Sequence, residues 1–251
     1  MTFRTLLMAG ALALALPAVA LAQGMSDTDP TLAAAKAATD AGDLAGAIVL
    51  YEQAAAQGVT GGASELARIY LEGGAGVVPD YALALEWATT AAEAGDSRGL
   101  LYLGKIWMEG LGVEVDPAKA AGYFAQANDA GDRKAARYLG LIATGQGDPA
   151  AAAEWYAIAA ERGDITSQFY LGQAYERGAG VAQDYGQAMA WYAKSAERGD
   201  LIASDGMVGM AGLYENGLGV DIDLDKATAL YEQAAALGNT TAQAALIRLG
   251  G

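Results

Sequence analysis

The stretch Tyr175–Val181 reads YERGAGV, and close copies stand at 107–113 (WMEGLGV) and 214–220 (YENGLGV). A glycine pair of this kind either cradles a phosphate or punctuates a repeating structure. A phosphate loop needs a strand before it and, in its nucleotide-binding form, a Lys and a Ser or Thr after it. Neither accompanies these glycines. They read as punctuation.

The period confirms this. Aligning on one recurrent glycine gives Gly58, Gly95, Gly131, Gly163, Gly199 and Gly238, at intervals of 37, 36, 32, 36 and 39 residues. Ahead of them recur a large residue (Leu50, Trp87, Tyr123, Trp155, Trp191, Leu230), an alanine (Ala47, Ala84, Ala120, Ala152, Ala188, Ala227) and an aspartate (Asp43, Asp80, Asp116, Asp148, Asp184, Asp223). The aspartate is placed to cap a helix, its carboxylate accepting from the first free amides. Alanine and the large residue then share one face of that helix, the first allowing close approach and the second filling space between units. The glycine ends it in a left-handed turn. Leu66, Leu103, Leu139, Leu171 and Leu246 follow eight residues later and anchor the first helix of the next unit. Gly104, Gly140 and Gly172 sit directly behind three of them and permit tight helix contact.

At this point the run YLGQAYERGAGVAQDYGQAMAWYAKSAERGD (170–200) resembles a Sel-one-like repeat, a cousin of the tetratricopeptide repeat with a longer hairpin loop. The resemblance extends over residues 31–251. It implies an all-α, right-handed α-α superhelix of six helical hairpins and a C-terminal capping helix. Three departures stand out. The unit at 133–164 is short in its loop (ATGQGDPA), and the first unit reads as a plain tetratricopeptide hairpin. The fifth carries extra residues near Ser204–Gly206, with Met210 in place of its leucine.

Residues 1–22, with Arg4, an apolar run from Leu6 to Leu16, Pro17 and an A-x-A ending at Ala22, have the grammar of a cleaved secretory signal. A short flexible segment (23–30) would follow. Together with the resemblance, this points to a secreted protein, expected in a bacterial periplasm, with the extracellular space or an endoplasmic reticulum, which uses related repeats and similar signals, as alternatives. The chain has 15 basic and 30 acidic residues, a formal charge of −15, and neither His nor Cys. That balance argues against nonspecific nucleic-acid binding, which needs clustered positive charge. Missing His and Cys exclude disulfides, the usual zinc ligands and Ser–His or Cys–His catalysis. Asp221, Asp223, Asp225 and Glu232 match calcium-loop positions, but Lys226 stands where the turn glycine belongs and the repeat register runs a helix through it. No catalytic residue, cofactor or metal site is expected.

The resemblance to tetratricopeptide repeats also implies which positions face the concave side, where a partner binds: Ser64, Arg68 and Leu71; Arg98, Leu101, Lys105 and Met108; Lys134, Arg137 and Leu141; Phe169, Gln173 and Glu176. The candidate partner-binding residues are Arg68, Arg98, Leu101, Lys105, Met108, Lys134, Arg137, Leu141, Phe169 and Gln173. They would form a basic, partly apolar groove for an acidic or C-terminal peptide segment of another protein. Alternatively, the Arg and Lys stems only cover apolar helix flanks. Tyr102, Tyr138 and Tyr170 form a column that either packs between hairpins or offers a binding ladder. The expected function is a non-catalytic adaptor, with a polysaccharide- or cell-wall-binding module as the alternative.

Overall fold

The computed structural model describes residues 29–250. The expected signal peptide and nearly all of the segment behind it lie outside the described residues. Thirteen helices and no named strand occur among those described. They are α1 (Pro30–Asp40), α2 (Leu44–Ala56), α3 (Thr60–Glu72), α4 (Tyr81–Glu93), α5 (Ser97–Glu109), α6 (Pro117–Asp129) and α7 (Ala135–Gly145), then α8 (Pro149–Glu161), α9 (Ile165–Arg177), α10 (Tyr185–Ala196), α11 (Ser204–Asn216), α12 (Leu224–Ala236) and α13 (Thr240–Gly250). Each helix packs on its chain neighbours, which makes a solenoid of six hairpins closed by α13. First helices also touch one another, α3 on α5 and α9 on α11, which puts them on the inside of the curve.

The local rules operate at every unit. Each of the six aspartates caps its helix: Asp43 accepts from Gly46, Asp80 from Ala82 and Leu83, Asp116 from Lys119, Asp148 from Ala151, Asp184 from Gln187 and Asp223 from Lys226. Asp223 and Lys226 thus belong to the start of α12. The helix-ending glycines carry positive φ, from 68° at Gly199 to 96° at Gly238, where a side chain would be strained. Long loops return through one shared bond. The capping aspartate's own N–H donates to the carbonyl of Tyr70, Trp107, Tyr175 or Tyr214 near the end of the preceding helix. In the fourth unit only Gln146–Asp148 separates α7 from α8, and in the first only Ala41–Asp43 separates α1 from α2.

The core is a row of small clusters, one per hairpin. The recurrent alanines are buried throughout, and Leu66, Leu103, Leu139 and Leu171 join them. Trp87, Tyr123, Trp155 and Trp191 bridge instead. Each is half-buried and packs on the cluster of the hairpin before its own. The residue after each of these positions goes deeper: Tyr51, Ala88, Phe124, Tyr156, Tyr192 and Tyr231 are all buried. Side chains there leave no room across the interface. A Cβ at Gly104, Gly140 or Gly172 would lie 2.5–2.6 Å from the ring of Phe124, Tyr156 or Tyr192.

Candidate functional site

The structure divides the expected groove into parts with different chemistry. Leu101 lies in the core with Phe124 and Leu139 and is 5% exposed, so its side chain is spent on the fold. Ser64 and Leu71 are buried as well. Three of the five expected cations are held inside the chain. Arg68 donates to Glu65 (2.9 Å) and Glu72 (3.2 Å). Arg98 donates to the same Glu65 (3.0 Å) and to Asp96 (2.9 Å), linking α3 to the start of α5. Arg137 pairs with Asp164 at 2.9 Å, a carboxylate 8% exposed that also caps α9 through the Ser167 amide. Near Arg68 and Arg98 the guanidinium charge is therefore offset by carboxylates at contact distance. Lys105 and Lys134 make no ion pair among the described residues.

Positive charge gathers elsewhere. Arg133, Lys134, Arg162 and Arg198, from the turns before α7, α9 and α11, and Arg137 of α7 line one cleft of about 400 Å³. Ile165 and Ile202 stand beside them, and the Asp164 carboxylate, which Arg137 holds, is in the same lining. Arg162 donates to Asn128 (2.7 Å) and Arg198 pairs with Asp200 (2.5 Å), both at exposed positions. Lys134 and Arg137 belonged to the expected groove; Arg133, Arg162 and Arg198 did not. Their charges come from successive inter-repeat turns, so only stacking brings them to one edge.

The apolar positions gather on the opposite ends of these helices. Met108 and Leu141 share a hollow with Pro117 and Ile142 beside the short turn after α7. Leu141 also borders a second hollow, of about 330 Å³, with Gln173 and Tyr170. Phe169 lies against Tyr170 and Tyr192, with ring centres 5.8 and 5.7 Å away, and is half-buried. Glu176 accepts from the Tyr192 hydroxyl.

The tyrosine column packs between hairpins. Tyr138 stacks on Phe124 at 4.7 Å and 6°, and Tyr170 meets Tyr156 at 4.9 Å. Burial pushes the Tyr102 hydroxyl up to about 12. Rings engaged in this way are not stacked as a ladder facing solvent. No group of three Asp or Glu residues suited to a metal occurs among the described residues.

An all-α stack of near-identical hairpins with an accessible inner face defines a repeat scaffold, a class that binds other proteins over extended surfaces. The Sel1 repeat profile matches residues 41–59, 62–96, 97–132, 133–164, 165–200 and 204–239, and the chain belongs to the Sel1 repeat family. It is similar to a protective antigen of uropathogenic Escherichia coli with the SLR fold. That similarity is 31% identity and a TM-score of 0.68, over 81% of this chain and 44% of that one. This chain thus spans less than half of that protein's length. A Sel1 repeat protein of Oxalobacter formigenes is 28% identical, with a TM-score of 0.66 over 75% of each chain. A chain of the Cut9–Hcn1 hetero-tetramer of the APC/C shares the fold alone, at 18% identity and a TM-score of 0.62 over 92% of this chain and 45% of that one. No curated protein matches the sequence.

Proposed function

We propose that this protein is a non-catalytic adaptor of the bacterial periplasm that binds an acidic segment of a partner protein at the cleft of Arg133, Lys134, Arg137, Arg162 and Arg198. The observation that carries the reading is the convergence of four cations from three turns, with Arg137 of α7 beside them, on a chain of formal charge −15. Arg137 and Arg198 are offset by Asp164 and Asp200, which leaves Arg133, Lys134 and Arg162 without a carboxylate partner among the described residues. Most of this surface repels acidic ligands, so one basic cleft both attracts a segment and fixes where it lands. The repeat scaffold supports the coarser part of the reading, since its curved surface is preformed and little ordering is needed on association. The sequence of residues 1–22 supports the compartment.

Binding of a fluorescent glutamate-rich peptide by the protein and by an R133E/R162E/R198E variant tests the cleft. Arg137 is left in place because it holds Asp164. At least a tenfold loss in the variant is expected, given that close interfacial charge pairs couple by about 1.5 kcal/mol or more. Equal binding would reject the cleft. Mass spectrometry of the protein recovered from the periplasm of its source cells tests the compartment, with an N-terminus at Gln23 expected.

A further inference from the structure

The hollow beside Leu141 has an origin that says what fits it. In three of the four long-loop units the first turn glycine is left-handed, with φ 71° at Gly110, 67° at Gly178 and 64° at Gly217; the loop of the second unit turns differently, its Gly74 donating forward to Val77. The residue behind it donates its N–H back to the helix in the same way each time: Leu111 to Ile106 (3.0 Å), Ala179 to Ala174 (2.9 Å) and Leu218 to Leu213 (3.0 Å). The second glycine of each loop then lies against the first residue of a helix in the preceding hairpin. Gly112 meets Tyr81, Gly180 meets Pro149 and Gly219 meets Tyr185. The three loops therefore share one turn geometry and each lies against the start of the same helix of the hairpin before it.

Their side chains are not. Leu111 packs on the core cluster that contains Ala84 and Ala88, as Leu85 does, and Leu218 packs on the cluster that contains Ala188 and Tyr192, as Met189 and Tyr185 do. At the third loop the leucine is Ala179, the Leu85 and Met189 position is Ala153, and the tyrosine position is Pro149. What remains is the 330 Å³ hollow, floored by Ala152, Ala153 and Tyr156 and walled by Leu141 and Tyr170. Its volume is in the range of small-ligand pockets. Arg177 borders it, exposed and without an ion pair among the described residues, where the sister units carry Glu109 and Asn216.

We propose that this hollow is a socket for a leucine side chain from an acidic segment of a partner protein, with Arg177 meeting a carboxylate next to that leucine. The occupant follows from the molecule itself, because two sister units fill the same place with their own leucine. The rim charge selects the neighbouring residue. The inference rests on the adaptor reading and adds a side-chain specificity to it.

The test uses two pools of synthetic hexapeptides, one with a fixed Leu-Asp pair and one with Ser-Asp, the other positions being equimolar mixtures. Binding is followed on the ¹³C-labelled methyl groups of Ala152, Ala153 and Ala179. The Leu-Asp pool is expected to shift these methyls and to bind at least about tenfold more tightly than the Ser-Asp pool, as burial of one leucine side chain requires. Ala179→Leu fills the socket and is expected to abolish that preference while melting no lower than the unaltered protein. Should it fail to fold, Ala153→Leu narrows the same space. Equal binding of the two pools, or a preference that survives both substitutions, overturns the socket. Pools that bind through the basic cleft with the alanine methyls unmoved sink the socket and leave the adaptor reading. A failure of every pool to bind sinks both.

Discussion

The deep aromatic that five of the six hairpins carry shows how single residues are matched across a unit. The buried Tyr51 and Tyr156 hydroxyls meet Thr39 (3.2 Å) and Thr144 (3.0 Å), both twelve residues earlier in units with short turns. In units with long loops the partner lies sixteen residues earlier and is a carboxylate. Tyr192 donates to Glu176, and Tyr231 donates to Glu215 (2.9 Å). The one phenylalanine in the series, Phe124, has Met108 at the corresponding place, an apolar residue packed on the same cluster. A buried hydroxyl without a partner costs about 1–3 kcal/mol, so each ring and its partner must agree. Phe124→Tyr is accordingly expected to destabilise the protein by about 1–3 kcal/mol. Adding Met108→Glu should recover at least half of that loss in a double-mutant cycle read by urea denaturation. A cycle with no coupling between the two sites would show that the matching has no energetic content. Met108 was legible in the sequence as an apolar residue near the inner face; its pairing with Phe124 was not, because the partner's offset changes with loop length.

At the scale of helices and turns, the features that the sequence displayed openly were those fixed by local backbone chemistry. A cap needs Asp at one position and a left-handed stop needs Gly, so both recur in register and can be counted. The inter-repeat pairs do not recur. Glu65–Arg98 and Asp164–Arg137 join residues 33 and 27 apart, and no local pattern announces which carboxylate a given arginine will take. For that reason the expected basic groove was misjudged in its charge, while the cleft of Arg133, Arg162 and Arg198 was missed. The end of the solenoid carries a third such pair. Arg248 on α13 donates to Glu215 on α11 at 2.5 and 2.8 Å. The Arg248 bond, helped by the Tyr231 hydroxyl, holds the Glu215 carboxyl below its ordinary value. A carboxyl whose folded value is depressed contributes stability above the unfolded value, near 4.3, and that contribution disappears as pH falls through the folded value. Protection of the α13 amides from hydrogen exchange, taken relative to the intrinsic rate at each pH, should therefore fall below about pH 4.3. In Glu215→Gln the exchange should be faster already at pH 7 and less dependent on acid. An α13 whose protection in Glu215→Gln matches the unaltered protein at pH 7 would remove the pair from any role in docking the cap.

Over the whole molecule, charge acts in two directions, and salt separates them. Thirty acidic and fifteen basic residues leave a surplus of negative charge spread along a solenoid in which each hairpin is supported only by its neighbours. Self-repulsion of that surplus weakens the fold, and screening relieves it. The Debye length falls from about 30 Å at 0.01 M to about 8 Å at 0.15 M, a change that covers the spacing between adjacent repeats. The melting temperature is therefore expected to rise by several degrees over that range. Attraction of an acidic segment to the basic cleft is screened by the same ions, so its affinity should fall over the same range, chiefly through slower association. The leucine socket depends on apolar burial and should keep its preference for Leu over Ser at either salt concentration. Calorimetry and stopped-flow binding on one set of samples would read these slopes together. A melting temperature that falls with salt would mean that the internal pairs around Glu65, Asp164 and Glu215 outweigh the surplus. An affinity that stays level would place recognition in the apolar hollows and leave the cleft without a part in it.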